Sequence, residues 1–367
     1  MHISEIISFL ESVAHPSLQE PYDNAGLLTG NPSWSCSGIL CSLDVTEEVV
    51  AEAAGKGCNL VVAHHPAIFT GLKKITGSNY TERTIILAIK KDIAIYAIHT
   101  NLDNIRHGVN GKIAEIIGLK NIQVLAPKGG NTLKKLFTFA PADHADRVRA
   151  ALFAAGTGHI GQYDECSFNT PGTGTFRAGA GANPYVGETG KQHQEHEIRI
   201  ETIFPAWLES KVIAALKKSH PYEEVAYDIV PLANPHPETG AGLVGELELP
   251  LPEEDFLALL ESRFEAKGIR HTRTVGRPIS RVAVCGGAGS FLIFSALRSN
   301  ADAYVTADVK YHEFFNADGK MLLADIGHFE SEQWTISLLQ DILLQKFPTF
   351  AVLKTAVNTN PVFYFRR

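Results

Sequence analysis

Asn59-Leu60-Val61-Val62-Ala63-His64-His65-Pro66 is an apolar, β-branched run with two histidines at its end and a proline that stops it. Such a run reads as a short buried strand whose last residues reach the edge of a sheet. Side chains alternate along a strand, so His64 and His65 serve one site only if the chain turns there, and Pro66 favours a turn. Two other runs repeat the pattern. Asp92 to Ile98 leads into His99-Thr-Asn-Leu-Asp103, and Met321 to Ile326 breaks at Gly327 and resumes with helical spacing through His328 and Glu332. His328 and Glu332 are four apart and share one face of a helix start. Three strand ends thus deliver His64, His65, Asp103, His328 and Glu332, off the edge where open α/β sheets place their sites. Mixed nitrogen and oxygen ligands suit Zn, Mn, Fe, Ni or Co rather than Ca. Taken singly, Asp103 reads equally well as a cap and Glu332 as a first-turn acid at a helix dipole.

The chain has 367 residues and a formal net charge of -7. That length fits about two domains, and the mild acidity gives no bulk electrostatic case for nucleic acid. No apolar stretch is long enough for a membrane helix. The N-terminus reads as an amphipathic helix, not a signal peptide. Five cysteines without C-x-x-C spacing fit reduced thiols in a cytoplasmic protein.

To about Pro127 strand and helix patterns alternate: a strand over Gly38 to Leu43, a helix over Thr46 to Ala54, the strand to His64, then a helix over Thr81 to Lys91 with Ile85, Ile86 and Ile89 inward. The strand to His99 and a helix over Asn110 to Ile117 follow. After a break at 128–131 the order becomes strand, helix, Gly-rich strands, helix, strand, ending at Pro231. That order is a ferredoxin-like split βαβ. Strand and helix patterns resume from Gly242. The expected fold is α/β (α+β): a layered core of residues 1–127 plus 236–367, interrupted by an inserted domain over 128–235.

Several motifs occur in order: Pro21-Tyr-Asp-Asn-Ala-Gly-Leu-Leu28, Ser42-Leu-Asp-Val-Thr46, Ala63-His-His-Pro66, His99-Thr-Asn-Leu-Asp103, Thr306-Ala-Asp-Val-Lys-Tyr-His312 and Gly327-His-Phe-Glu-Ser-Glu332. Together they resemble the Nif-three-like dinuclear-metal family, also called GTP cyclohydrolase 1 type 2 homologs. Gly158 to Tyr163, Gly172 to Phe176 and His220-Pro-Tyr-Glu-Glu224 resemble the long form with a PII/CutA-like insert. The resemblance implies two divalent ions held by His64, His65, Asp103, His328 and Glu332, and a homohexamer built as a trimer of dimers.

Five ligands for two ions leave positions open for water and substrate, which marks catalytic sites. The expected function is a metal-dependent hydrolase acting on a nucleotide or related small molecule. The alternative is a regulatory or metal-handling scaffold whose insert senses a ligand. No serine or cysteine is placed like an activated nucleophile, so metal-bound water is the expected one, with His99 or His312 assisting proton transfer. Asp44 either orients a ligand histidine or caps the helix after Val45. Lys310 and His312 either meet phosphate or lie on a solvated helix start. Gly286-Gly-Ala-Gly-Ser290 lacks the P-loop lysine and reads as a tight packing turn. His193, His196 and His220 read as surface or turn residues, and Tyr222 to Glu224 as closing the insert's own sheet.

Overall fold

The computed structural model describes residues 1–130 and 132–365; Asn131, in the break after Pro127, lies outside them. The fold is mixed α/β, and the chain divides into two units, Met1–Pro127 with Glu238–Arg367 and Lys128–Pro237.

The first unit holds two sheets. One has the strand order Gly26–Thr29, Ala94–Ala97, Leu60–Ala63, Ile39–Ser42, Val352–Lys354. All its pairs are parallel except the edge pair made by Gly26–Thr29. Its three inner strands are buried at every position, as expected of strands covered on both faces. The other sheet has the order Arg270–His271, Leu322–Asp325, Ala303–Ala307, Ile279–Ala288, Gly240–Leu251, Lys120–Pro127. Its three middle strands, Leu322–Asp325, Ala303–Ala307 and Ile279–Ala288, run parallel. The two halves of the unit are interlaced: Val352–Lys354 completes the first sheet and Lys120–Pro127 the second.

Local chemistry sets the helices. Thr46 and Asn79 cap Glu47–Gly55 and Tyr80–Lys90 through their side-chain oxygens. Gly118, at φ 86°, ends Val109–Ile117 in the left-handed conformation that glycine adopts without strain. In Tyr80–Lys90 the inward face is Glu82, Thr84, Ile85 and Ala88. Ile89, expected inward, is exposed in the last turn of this helix.

The second unit is a four-stranded antiparallel sheet in the order Phe168–Arg177, Gln192–Pro205, Leu133–Pro141, Tyr227–Pro231. Ala145–Ala154 and Glu209–Ser219 pack together, and Val148, Leu152, Val212 and Leu216 form its core with Leu136, Ile200 and Phe204. Fully burying such a side chain contributes about 1.5–3 kcal/mol.

Candidate metal centre

The strands Leu60–Ala63, Ala94–Ala97 and Leu322–Asp325 end at one cavity of about 1510 Å³ in the first unit. The first strand stops at Ala63, so His64 and His65 lie beyond its alternation, and their rings come within 4.9 Å of each other, centre to centre. His99 follows the second strand and stands 5.2 and 5.4 Å from those two rings. His328 and Glu332 occupy one face of the short helix His328–Glu332 that follows the third strand.

Each imidazole is held from behind by an acceptor. His64 Nδ1 donates to the Ile98 carbonyl at 2.9 Å. His65 Nδ1 donates to Asp44 at 2.8 Å, His99 Nδ1 to Asp23 at 2.8 Å, and His328 Nδ1 to Asp308 at 2.7 Å. A carbonyl or carboxylate accepts only, so the Nδ1 atoms carry the protons and, in the neutral rings, every Nε2 is left with a lone pair. Those of His64, His65 and His328 converge on carboxylates. Glu332 Oε2 lies 3.0 Å from His65 Nε2 and 3.1 Å from His328 Nε2, and those two nitrogens are 3.4 Å apart. His64 Nε2 lies 3.6 Å from Asp103 Oδ1 and 3.9 Å from Glu332 Oε1. His64 Nε2 and Asp103 Oδ1 are buried without a hydrogen-bond partner.

Acceptors facing acceptors in a buried site call for a cation. Two overlapping donor groups result, His64 with His65 and His99, and His65 with His328 and Glu332. The residues present fit divalent ions with nitrogen and oxygen ligands, backed by a carboxylate behind each of three imidazoles.

Protonation follows the same geometry. Burial pushes His64 down to about 3. Burial opposes charge on His65 as well, but Asp44 and Glu332 outweigh it and lift this imidazole to about 10. His328 is lifted against burial to about 11 by Glu332 and Asp308. Burial raises the Asp103 carboxyl well above the usual range, helped by the charge of Glu332. Glu332 is held well below the usual range despite burial, by His328 and His65. Without an ion, protonated His65 and His328 take the cation's place.

The pH response has opposite arms. His64, lowered, contributes stability above its unfolded value of 6.5 that is lost as pH falls toward about 3. His65 and His328, raised, contribute stability below 6.5 that is lost as pH rises toward about 10 and 11. Thermal melts of the ion-free chain should therefore peak near neutral pH. A melting temperature that climbs steadily through the alkaline range would contradict this charge arrangement.

The glycine-rich turn also serves this place. Gly286 N donates to Asn110 Oδ1, and Asn110 Nδ2 donates to the Asp103 carbonyl, tying the two segments together. Gly287 has φ 59°, and a Cβ there would stand 2.4 Å from Glu332 Oε1. Gly287→Ala should cost about 1–3 kcal/mol, read as a fall in melting temperature. An unchanged melt would show that the turn yields freely.

The structure brings His64, His65, Asp103, His328, Glu332 and His99 together. It does not bring His312, which is exposed on the turn Tyr311–Ala317 with its ring against Tyr311 and Phe315. Lys310 is exposed at the same turn. Asp44 holds His65 rather than capping a helix, because Thr46 is the cap. Sequence reasoning missed the roles of Asp23 and Asp308 behind the imidazoles and of Thr359, whose hydroxyl donates to Asp44 at 2.6 Å. Asp23 and Asp308 lie inside motifs that had been singled out; Thr359 carries no local signal.

The model of the Duf34/NIF3 (NGG1p interacting factor 3) family matches residues 1–361. The chain belongs to this family. It is 41% identical over 361 residues to a protein of Halalkalibacterium halodurans named GTP cyclohydrolase 1 type 2 homolog, covering 97% of each chain. A Bacillus subtilis protein of the same name is 40% identical over 89% of this chain and 87% of its own. A crystal structure of a Bacillus cereus protein related to NIF3 superposes with a TM-score of 0.88 at 39% identity, covering 100% of this chain and 99% of that one. Among the described residues no helix is long and apolar enough to cross a membrane.

Proposed function

We propose that this NIF3-family chain is a dinuclear-metal hydrolase of a nucleotide or related small molecule. One observation carries the reading: imidazole Nε2 atoms, each fixed by an acceptor behind it, converge with two carboxylates at buried, unpartnered atoms. Two ions would be held by His64, His65, Asp103, His328 and Glu332. Bound there, they would supply charge stabilisation and lower the pKa of water toward neutrality.

The chain's own residues do the rest. Tyr22, Phe69, Tyr80 and Phe291 present aromatic surface to the cavity, suited to a planar heterocycle. The ionisable lining is mostly carboxylate, and Arg270 is paired with Asp325. An anionic substrate therefore depends on the cations for its charge. Asp23 accepts from His99 and from the Thr100 amide and hydroxyl, and these bonds outweigh burial and hold its carboxyl down at about 2. Its charge keeps the proton of His99 on Nδ1, so Nε2 is the atom that takes and returns a proton.

We extend the proposal to the insert and the assembly. The strand order of the unit Lys128–Pro237, with one helix after its first strand and one after its third, supports a ferredoxin-like reading. The homohexamer implied by the resemblance is checked by sedimentation velocity. A screen of nucleotides and phosphoesters with Mn, Zn, Fe or Co tests the chemistry. Turnover should vanish on chelation and return with metal; turnover that survives complete metal removal contradicts the proposal.

A further inference from the structure

The motifs Gly172 to Phe176 and His220 to Glu224 have no part in the metal site. They meet at a cavity of about 720 Å³ within the unit Lys128–Pro237. Tyr222, Glu223 and Glu224, expected to close the sheet, line this cavity instead. His220 is buried, not at the surface: its Nε2 donates to the Phe139 carbonyl, leaving Nδ1 to accept from the Tyr222 amide, which fixes Tyr222.

Phe139, Phe176, Tyr185 and Tyr222 line the cavity, and the last three rings stand close together. Tyr222 is 6.3 Å from Phe176 and 6.2 Å from Tyr185, centre to centre. Glu197 sits among them and accepts from the Tyr222 hydroxyl at 2.9 Å. Gly174 is what leaves room for that carboxylate, since a Cβ there would lie 2.2 Å from Glu197 Oε2. The loop carrying Tyr185 is tied down where the Asn183 amide donates to Glu223 at 2.8 Å. Of the lining cations, Arg199 is committed to Glu201 at 3.1 Å and to the face of Phe137.

We propose that this cavity is a binding site for a small organic cation, an amine whose charged head meets Glu197 within the rings of Phe176, Tyr185 and Tyr222. Aromatic faces attract a cation through their quadrupole, and a carboxylate adds a charge-assisted hydrogen bond. An anion meets three lining carboxylates, Glu197, Glu223 and Glu224, with the exposed Arg177 as the other lining cation, and neutral aromatics gain the stacking alone.

Benzylamine, benzyl alcohol and benzoate are suitable probes, titrated against the full chain by ligand-observed NMR. Benzylamine should bind saturably and at least about tenfold more tightly than either control. Glu197→Gln should weaken benzylamine by about tenfold and leave benzyl alcohol unchanged. Tyr185→Ala, at a half-exposed ring whose loss spares the core, should weaken benzylamine as well. Benzoate binding as tightly as benzylamine, benzylamine affinity retained in both variants, or no saturable benzylamine binding because a second copy of the chain fills the cavity, each overturns the proposal.

Discussion

Glu332→Ala is expected to leave a folded chain that no longer retains divalent metal. Glu332 is 3% exposed, and its carboxylate touches the Nε2 atoms of both His65 and His328. Removing it takes away the carboxylate that, among the described residues, reaches three of the site's imidazoles, since Oε1 is also 3.9 Å from His64. Loss of an outer partner of a metal ligand typically costs about 10–100-fold in affinity, so loss of this carboxylate should cost at least about 100-fold. The fold itself should survive. Without this carboxylate His328 loses the main reason to stay protonated, while His65 loses its second partner and keeps Asp44. Elemental analysis after dialysis, alongside a melting curve, reads both effects. Full metal occupancy in Glu332→Ala would remove this residue from the centre.

The second large effect concerns rate rather than metal. His99→Ala should lower kcat by about 10²–10⁴-fold, the usual contribution of a placed acid or base, while metal content stays at the level of the unaltered chain. The His99 ring lies beside those of His64 and His65, but Asp23 grips it from a different strand connection. Asp23→Asn keeps a hydrogen-bond acceptor and removes the charge, so its rate loss should be smaller in the same direction. Loss of an ion in His99→Ala would instead make His99 a ligand, consistent with its place in the group His64, His65 and His99.

Much of the site was legible because the chemistry sits where regular structure ends. The β-branched runs before His64 and His99 are buried at every strand position, and that pattern is what the sequence shows most clearly. The spacing from His328 to Glu332 fixed one face of a turn of helix, and the structure keeps it. Of the supporting acids, Asp44 was legible as one of two alternatives, and Asp23 and Asp308 were not legible. Asp23, Asp44 and Asp308 reach their imidazoles across 76, 21 and 20 residues of chain, and no periodicity encodes such contacts. Asp308 adopts φ 53°, a conformation set by the turn rather than by any run of residues. Part of the second sheet was also hidden. Lys120–Pro127 is half exposed and carries a mixed pattern, so it does not read as the strand that pairs with Gly240–Leu251. His312 shares its motif with Asp308, but the turn Tyr311–Ala317 leaves it exposed and outside the cavity lining.

Metal binding must displace the protons that His65 and His328 hold in the ion-free chain. Affinity should therefore rise with pH from about 6 to about 8, and calorimetry in buffers of different ionisation enthalpy should register proton release. A pH-independent affinity would contradict the assigned protonation.

The most direct test is anomalous diffraction at the zinc edge from crystals of the full chain grown with zinc. The account predicts two peaks about 3.5–4 Å apart, each about 2.0–2.3 Å from donor atoms drawn from His64, His65, Asp103, His328 and Glu332. A zinc-saturated crystal with no peak among these five side chains, or with its ions held elsewhere, would contradict it.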